Sequence, residues 1–300
     1  MNLKTSSRLT AILQALLVTF LWSTSFIIIK IGLAEIPPLT FAGLRYVLAF
    51  ICLFPFAFTK TNLEEIKKLN RKDWAKLVLL GLIFYTFTQG AQFVGLSLLP
   101  AVTVSLILNF TPVIVAVMAI FLLAEYPSKI QWTGAFLFIA GIIIYFFPVD
   151  LPYERWLGLL IMIVGALVNA VSAVLGRNIN RTAHIKPLIV TIISMGIGSV
   201  IMLATGLAVQ GLTAISALNV FYLIWLAAVN TAFAFTLWNH TLRTLTAMES
   251  SIINGTMLIQ IAVLAWIFLG EDISLKETAG MVVAAFGALL VQIRVKKLKS

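Results

Sequence analysis

Cysteine and charge are what this 300-residue chain has least of. Its single cysteine, Cys52, sits in an apolar run, which excludes a disulfide framework or a cysteine-rich metal site. Asp, Glu, Lys and Arg together make up 11% of the residues, less than half the share usual in a water-soluble domain. The two histidines, His184 and His240, are far apart and show no metal-ligand spacing. No glycine-rich loop ending in lysine is present to cradle a phosphate, and no Ser-His-Asp arrangement can be drawn. The residues call for no cofactor, no metal and no nucleic acid, and no enzyme chemistry is expected.

What the chain does have is apolar length. It is 61% hydrophobic with a mean hydropathy of +1.06, and nearly every segment between charge clusters can cross a hydrocarbon core about 30 Å thick. Ten spans are predicted: Leu9–Ile31, Leu39–Phe58, Trp74–Leu96, Pro100–Leu123 and Ile130–Phe147, then Trp156–Gly176, Pro187–Val209, Phe221–Leu242, Leu245–Leu269 and Leu275–Ile293. The runs are long and do not alternate, so they read as helices rather than barrel strands. The first lacks an Ala-x-Ala-like cleavage site and is read as a retained span. The loop Thr59–Asp73 holds Leu63, Ile66 and Leu69 against charged neighbours, the pattern of a surface-lying helix, and Thr205–Asn219 reads as a loop.

Positive charge sets the orientation. With the N-terminus inside, inner segments hold 17 of the 21 Lys and Arg residues, and Lys30, Arg45, Arg155 and Lys276 are the other four. Both termini are thus expected in the cytoplasm. The net charge of +10 is explained by insertion beside an anionic leaflet, with membrane lipid as the partner.

The segment Leu98–Tyr145 recurs 146 positions later as Thr244–Val291, with twelve of 48 positions identical and no gap. Residue frequencies in such apolar segments give about four or five by chance. The matches include Ala101/Ala247, Ser105/Ser251, Glu125/Glu271, Ser128/Ser274, Gly134/Gly280 and Gly141/Gly287. The chain therefore reads as two five-helix repeats, residues 1–149 and 150–300. Five is odd, so the second copy is inverted relative to the first, the architecture many secondary transporters use for alternating access.

Polar residues at membrane depth face a bundle interior or a wet path. In the first span these are Trp22, with an aromatic face for an apolar or cationic group, and Ser23, Thr24 and Ser25; the alternative for the small ones is helix packing. Gln89 and Gln92 are three apart and share a helix face. Asn109 precedes Thr111-Pro112, where proline removes a donor and frees the Leu108 carbonyl, so a gap in the helix is expected there. Asn254 lies within one residue of its repeat-related position, and Asn169, Asn230 and Thr231 complete the polar set. Trp238 ends the eighth span, and His240 with Glu249 could bind and release a coupling proton, or form a wet mouth beside Arg243. Arg45 either snorkels outward beside Tyr46 or guards an outer vestibule, with snorkelling the preferred reading. Glu125 and Glu271 read as caps at helix ends.

The pieces LWSTSFIIIKIGL, PPLTFAGLRYVLA, LNFTPVIVAVMAIFLLAEYPSKIQWTGAFLFIAGI and IFLGEDISLKETAGMVVAAFGALLV, with the join LWNHTLRTLTA, touch both halves of the chain. They resemble the EamA-type drug/metabolite transporters, ten-helix bacterial permeases. The resemblance implies a small-metabolite substrate, efflux as the direction and the inner membrane as the location. One departure is that Pro112 in the fourth span has Leu258, not proline, as its counterpart in the ninth. The expected path, lined by spans one, three, four, six, eight and nine, offers aromatics and amides without a deep acidic cluster. That suits an amphipathic zwitterion such as an amino acid better than a multivalent cation or a phosphate ester. A channel and a non-transporting scaffold are the alternatives of another class.

Overall fold

The structure, a computed structural model, describes residues 3–123, 128–147, 153–181, 185–241, 244–245 and 253–292. Among them every regular element is helical. In chain order these are α1 (Leu3–Gly32), α2 (Pro38–Leu53), α3 (Lys60–Lys67), α4 (Arg71–Leu80), α5 (Gln89–Leu98), α6 (Ala101–Leu108), α7 (Thr111–Leu123) and α8 (Lys129–Phe146). The second half supplies α9 (Tyr153–Arg181), α10 (Pro187–Val209), α11 (Ala217–Ala227), α12 (Ala234–Thr241), α13 (Met257–Leu269) and α14 (Leu275–Gln292). Seven of the spans are long and apolar enough to cross a membrane, and Ala101–Val115 and Ile253–Leu269 are shorter apolar helices. With α14 they fall on the ten predicted spans, the all-helical membrane fold with two inverted repeats. Phe136 and Phe268, 68% and 63% exposed, belong to a surface that lipid, not water, would cover.

The predicted break in the fourth span occurs. α6 ends at Leu108 and α7 begins at Thr111, with the Phe110 N–H reaching back to the Ile107 carbonyl at 3.0 Å in a tightened turn. Two further spans widen midway, and the second span ends as a 3-10 helix over Phe54–Phe58. Gly81–Thr88 joins α4 to α5 as a π-helix, and Ala228–Phe233 joins α11 to α12 in the same way. Shifted by 146, the first segment covers residues 227–234 and so contains the second. In each a threonine hydroxyl donates to the carbonyl five residues back: Thr88 to Ile83 at 3.0 Å and Thr231 to Leu226 at 2.8 Å. Such wide turns are rare and concentrate at functional places in helices.

The chain folds into two compact units, each drawing on both halves of the sequence. One comprises residues 1–27, 100–156 and 237–300. Its central feature is the antiparallel pair α8 and α14. A Cβ added to Gly134 would lie 2.7 Å from the Gly287 carbonyl oxygen, and one on Gly280 2.8 Å from that of Gly141. The two repeats therefore touch backbone to backbone along their repeated glycines, which only residues without a side chain permit. Both helices also start the same way. Ser128 and Gln131 cap α8 reciprocally, and the repeat-related Ser274 and Glu277 do so for α14. Gln131 Nε2 donates to the Val291 carbonyl at 3.0 Å, and Lys276 Nζ to the Phe147 carbonyl at 2.8 Å.

The other unit comprises residues 28–99 and 157–236. Here α2 and the first π segment pack on α10, with Thr86 Oγ1 donating to the Gly198 carbonyl at 2.9 Å. The expected surface helix is α3; Ile66 and Leu69 pack on a buried cluster of Leu77, Leu80, Ile179, Ile185, Ile189 and Val190. Glu65 pairs with Lys186 at 3.3 Å, fixing α3 to the start of α10. The loop expected at Thr205–Asn219 is shorter, because α10 runs on to Val209 and Ser216 caps α11 by accepting the Asn219 N–H. That loop is tied to the start of α2, where the Leu39 N–H donates to Gln210 Oε1 at 2.8 Å and Thr40 Oγ1 to the Gly211 carbonyl at 2.8 Å. Glu35 accepts the Ser216 N–H at 3.1 Å.

Replacing Gly287 by Leu should cost about 1–3 kcal/mol through overpacking, read as a lowered melting temperature in detergent. Gly176→Ala, where an added Cβ meets nothing closer than 3.8 Å, should leave it within a degree or two or raise it slightly. At the surface, hydrogen bonds from Asn219 and then Ser216 hold the Glu35 carboxyl below the usual carboxylate range. Its contribution is present above the ordinary carboxylate pKa and disappears as pH falls through the lowered one. Exchange protection of the Ser216 amide should follow that course, and Glu35→Gln should remove the dependence.

Candidate functional site

The sequence-predicted residues separate into two sets, one in each unit. In the first unit Trp22 packs on Trp238 with ring centroids 5.2 Å apart. The next residue, Ser23, is fully buried; its Oγ lies 2.8 Å from the Thr19 carbonyl and 2.9 Å from Gln260 Oε1. Gln260 Nε2 in turn donates to Thr256 Oγ1 at 3.0 Å and to Thr19 Oγ1 at 3.4 Å. Thr24 and Ser25 instead donate to the Leu21 carbonyl of their own helix, the packing role that small hydroxyls take in membranes. Asn109 is half-buried at the α6–α7 break and donates to the Ser105 carbonyl at 2.9 Å. Phe110, beside it, stacks on Phe138 of α8 at 5.2 Å.

Asn254 is exposed and forms no hydrogen bond among the described residues. His240 is exposed at the end of α12, and Glu249 lies outside the described residues. The carboxylate at the first repeat's hinge, Glu125, also lies outside them. Its counterpart Glu271 caps α6: Oε1 accepts the Ala101 N–H at 2.7 Å and Oε2 the Val102 N–H at 3.3 Å. A carboxylate there meets unpaired donors and the positive end of the helix dipole. The second repeat's hinge thus holds the first repeat's fourth span.

In the second unit Tyr46 donates to Gln89 Oε1 at 2.6 Å and packs edge-on against Tyr85 of the π segment, with ring centroids 5.6 Å apart. Gln92 is half-buried and makes no hydrogen bond among the described residues. It follows Ala91, which lies against Gly165 of α9. Asn169 is half-buried on α9, where its carbonyl accepts from Ser172 Oγ at 2.7 Å. Asn230 is wholly buried in the second π segment beside Thr231.

Arg45 corrects the sequence reading. It is 4% exposed, and its Nε donates to Thr231 Oγ1 at 3.1 Å while its guanidinium carbon lies 5.2 Å from the Tyr46 ring centroid. A guanidinium buried in this way and bonded to a neighbouring span does not fit a side chain that snorkels to water. Gln260 escaped the sequence reading altogether, although its signal was there: it is the one amide in the apolar run Met257–Leu269.

With this geometry in place the chain can be set beside known proteins. The sequence profile of the EamA-like transporter family matches residues 9–147 and again 156–293. The chain belongs to the EamA-like transporter family. It is 28% identical over 302 residues to the uncharacterized transporter YvbV of Bacillus subtilis, covering 97% of this chain and 94% of that one. It is 26% identical over 281 residues to the uncharacterized inner membrane transporter YedA of Escherichia coli, covering 90% and 87%. A solved crystal structure superposes with a TM-score of 0.67 at 15% identity, covering 94% of this chain and 97% of that one, a likeness of fold. As an EamA-family member the protein is a multi-pass membrane transporter.

Loss of the hinge cap gives a direct test of that contact. Glu271→Ala should lower stability by about 1–2 kcal/mol, and Glu271→Gln by less, since an amide oxygen can still accept one N–H. Thermal unfolding of the purified variants in detergent measures both.

Proposed function

We propose that the protein is a secondary active transporter that exports a small amphipathic metabolite, an amino acid or a related solute, across the inner membrane. Its two inverted repeats, residues 1–149 and 150–300, would exchange roles to open the path to one side and then the other. The observation that carries this reading is the pairing of polar side chains from opposite repeats at membrane depth, Ser23 of the first with Gln260 of the second. Packing alone does not require an amide in the middle of an apolar span, where an unmet polar group is costly. Trp22 and Trp238, again one from each repeat, supply the aromatic surface. The interrupted fourth span and the two π segments leave helix backbone less rigid in both repeats, as a moving path needs. The excess of positive charge on inner segments supports cytoplasmic termini. His240 and Glu249 are the candidates for proton coupling.

The test is counterflow of labelled amino acids in proteoliposomes of the purified protein. Uptake should saturate with concentration and fall about tenfold or more in Gln260→Ala, the loss expected when one or two hydrogen bonds to substrate or its support disappear. Flux that rises linearly without saturation would mean a channel. No movement of any amino acid, with no change in melting temperature on adding them, would overturn the amino-acid assignment.

A further inference from the structure

The second unit contains a buried positive charge that no carboxylate among the described residues balances. Arg45 is 4% exposed at membrane depth, yet it faces no carboxylate within ion-pair distance among the described residues. Its one hydrogen bond there is from Nε to Thr231. The two side chains that contact it have partners of their own. The Thr231 hydroxyl proton goes to the Leu226 carbonyl, which leaves its oxygen as the acceptor for Nε. The Tyr46 hydroxyl donates to Gln89, and the Tyr46 ring, not its oxygen, faces the guanidinium. Lys30, another cation in a span of this unit, donates to the Leu96 and Leu99 carbonyls at 2.6 Å each.

Neither terminal nitrogen of Arg45 has a hydrogen-bond acceptor among the described residues. Neither is among the fully enclosed side-chain atoms that lack a partner, so each keeps some accessible surface for a ligand atom. A buried guanidinium in this condition is expensive to keep unless an anion completes it. The planar fork of two terminal nitrogens matches the two oxygens of a carboxylate. A single positive charge among neutral tyrosine, glutamine and threonine side chains balances a single negative one, which favours a monocarboxylate over a doubly charged phosphate ester.

We infer that Arg45 is the substrate-anchoring residue, holding the carboxylate of an organic monocarboxylate or amino acid through its two terminal nitrogens, with Thr231 and Tyr46 fixing its orientation. This inference rests on the transporter reading above and names the chemistry of its substrate. Two elements set the geometry. α2 brings the arginine inward, and the π turn at Ala228–Phe233 presents the threonine oxygen that orients it.

The experiment compares each of the twenty standard amino acids with its carboxamide, which differs only in the group that Arg45 would grip. Thermal shift of the purified full-length protein is measured with both series, on wild type, Arg45→Lys and Arg45→Met. At least one amino acid should raise the wild-type melting temperature at a concentration about tenfold or more below that needed by its carboxamide. Arg45→Met should abolish the difference, and Arg45→Lys should keep part of it, because lysine retains the charge without the fork. Equal response to acid and carboxamide in the wild type would overturn the anchor without reference to any variant. So would a flat wild-type response to every carboxylate, or undiminished preference for the acid in Arg45→Met. Counterflow then separates the two readings. Saturable flux of a solute without a carboxylate, unchanged in Arg45→Met, overturns the anchor and leaves the transporter standing. Carboxylate binding that depends on Arg45, without flux of any bound solute, retains the anchor and removes the transport assignment.

Discussion

The backbone contact between α8 and α14 is the constraint on which the first unit depends. Gly134 against Gly287, and Gly141 against Gly280, form one contact made twice, because a shift of 146 residues turns each pair into the other. In lipid, helices gain little from apolar burial against one another, so close van der Waals approach and hydrogen bonds must hold them. Glycines seven apart lie two turns apart on the same face and open a strip along which two backbones can meet. The capping boxes at Ser128 and Ser274 and the side chain-to-carbonyl bonds from Gln131 and Lys276 then fix the register at both ends.

Once that pair is set, three of the remaining spans depart from a regular α-helix midway, while α1, α2 and α9 carry buried polar side chains without a break. The fourth span breaks at Asn109–Phe110, and the third and eighth widen into π turns at repeat-related positions. Each departure is locally satisfied, by a short turn or by a threonine that follows the carbonyl ladder. Within lipid a backbone group cannot be left to water, so a helix can be opened only where a side chain or neighbour takes over its hydrogen bond. The glutamate of the second repeat's hinge serves the same end by capping α6 from the other repeat.

Much of this was legible in the residues. The class, the ten spans, the duplication and its inversion, the break near Pro112 and the capping role of Glu271 all follow from length, charge placement and local stereochemistry. The candidate site was legible only in part. Ser23, Trp22, Trp238, Gln89 and Asn230 are buried or half-buried as a polar set would be, but Asn254 is exposed despite its near-symmetry with Asn109. Gln260 and the inward reach of Arg45 were missed. A polar residue's depth can be counted along a helix, but its direction around the axis depends on what the helix packs against.

The sequence by itself determined that the chain is a helical membrane protein built twice over. In lipid each segment must satisfy its own backbone, so spanning is a local property that local composition encodes. Only the tertiary structure decided that the repeats meet through their glycines, that the compact units each mix both halves, and that Ser23 finds Gln260 and Arg45 finds Thr231. These partners are more than 180 residues apart in the chain. No periodicity within one helix carries that information, because it resides in how helices rotate and close on one another.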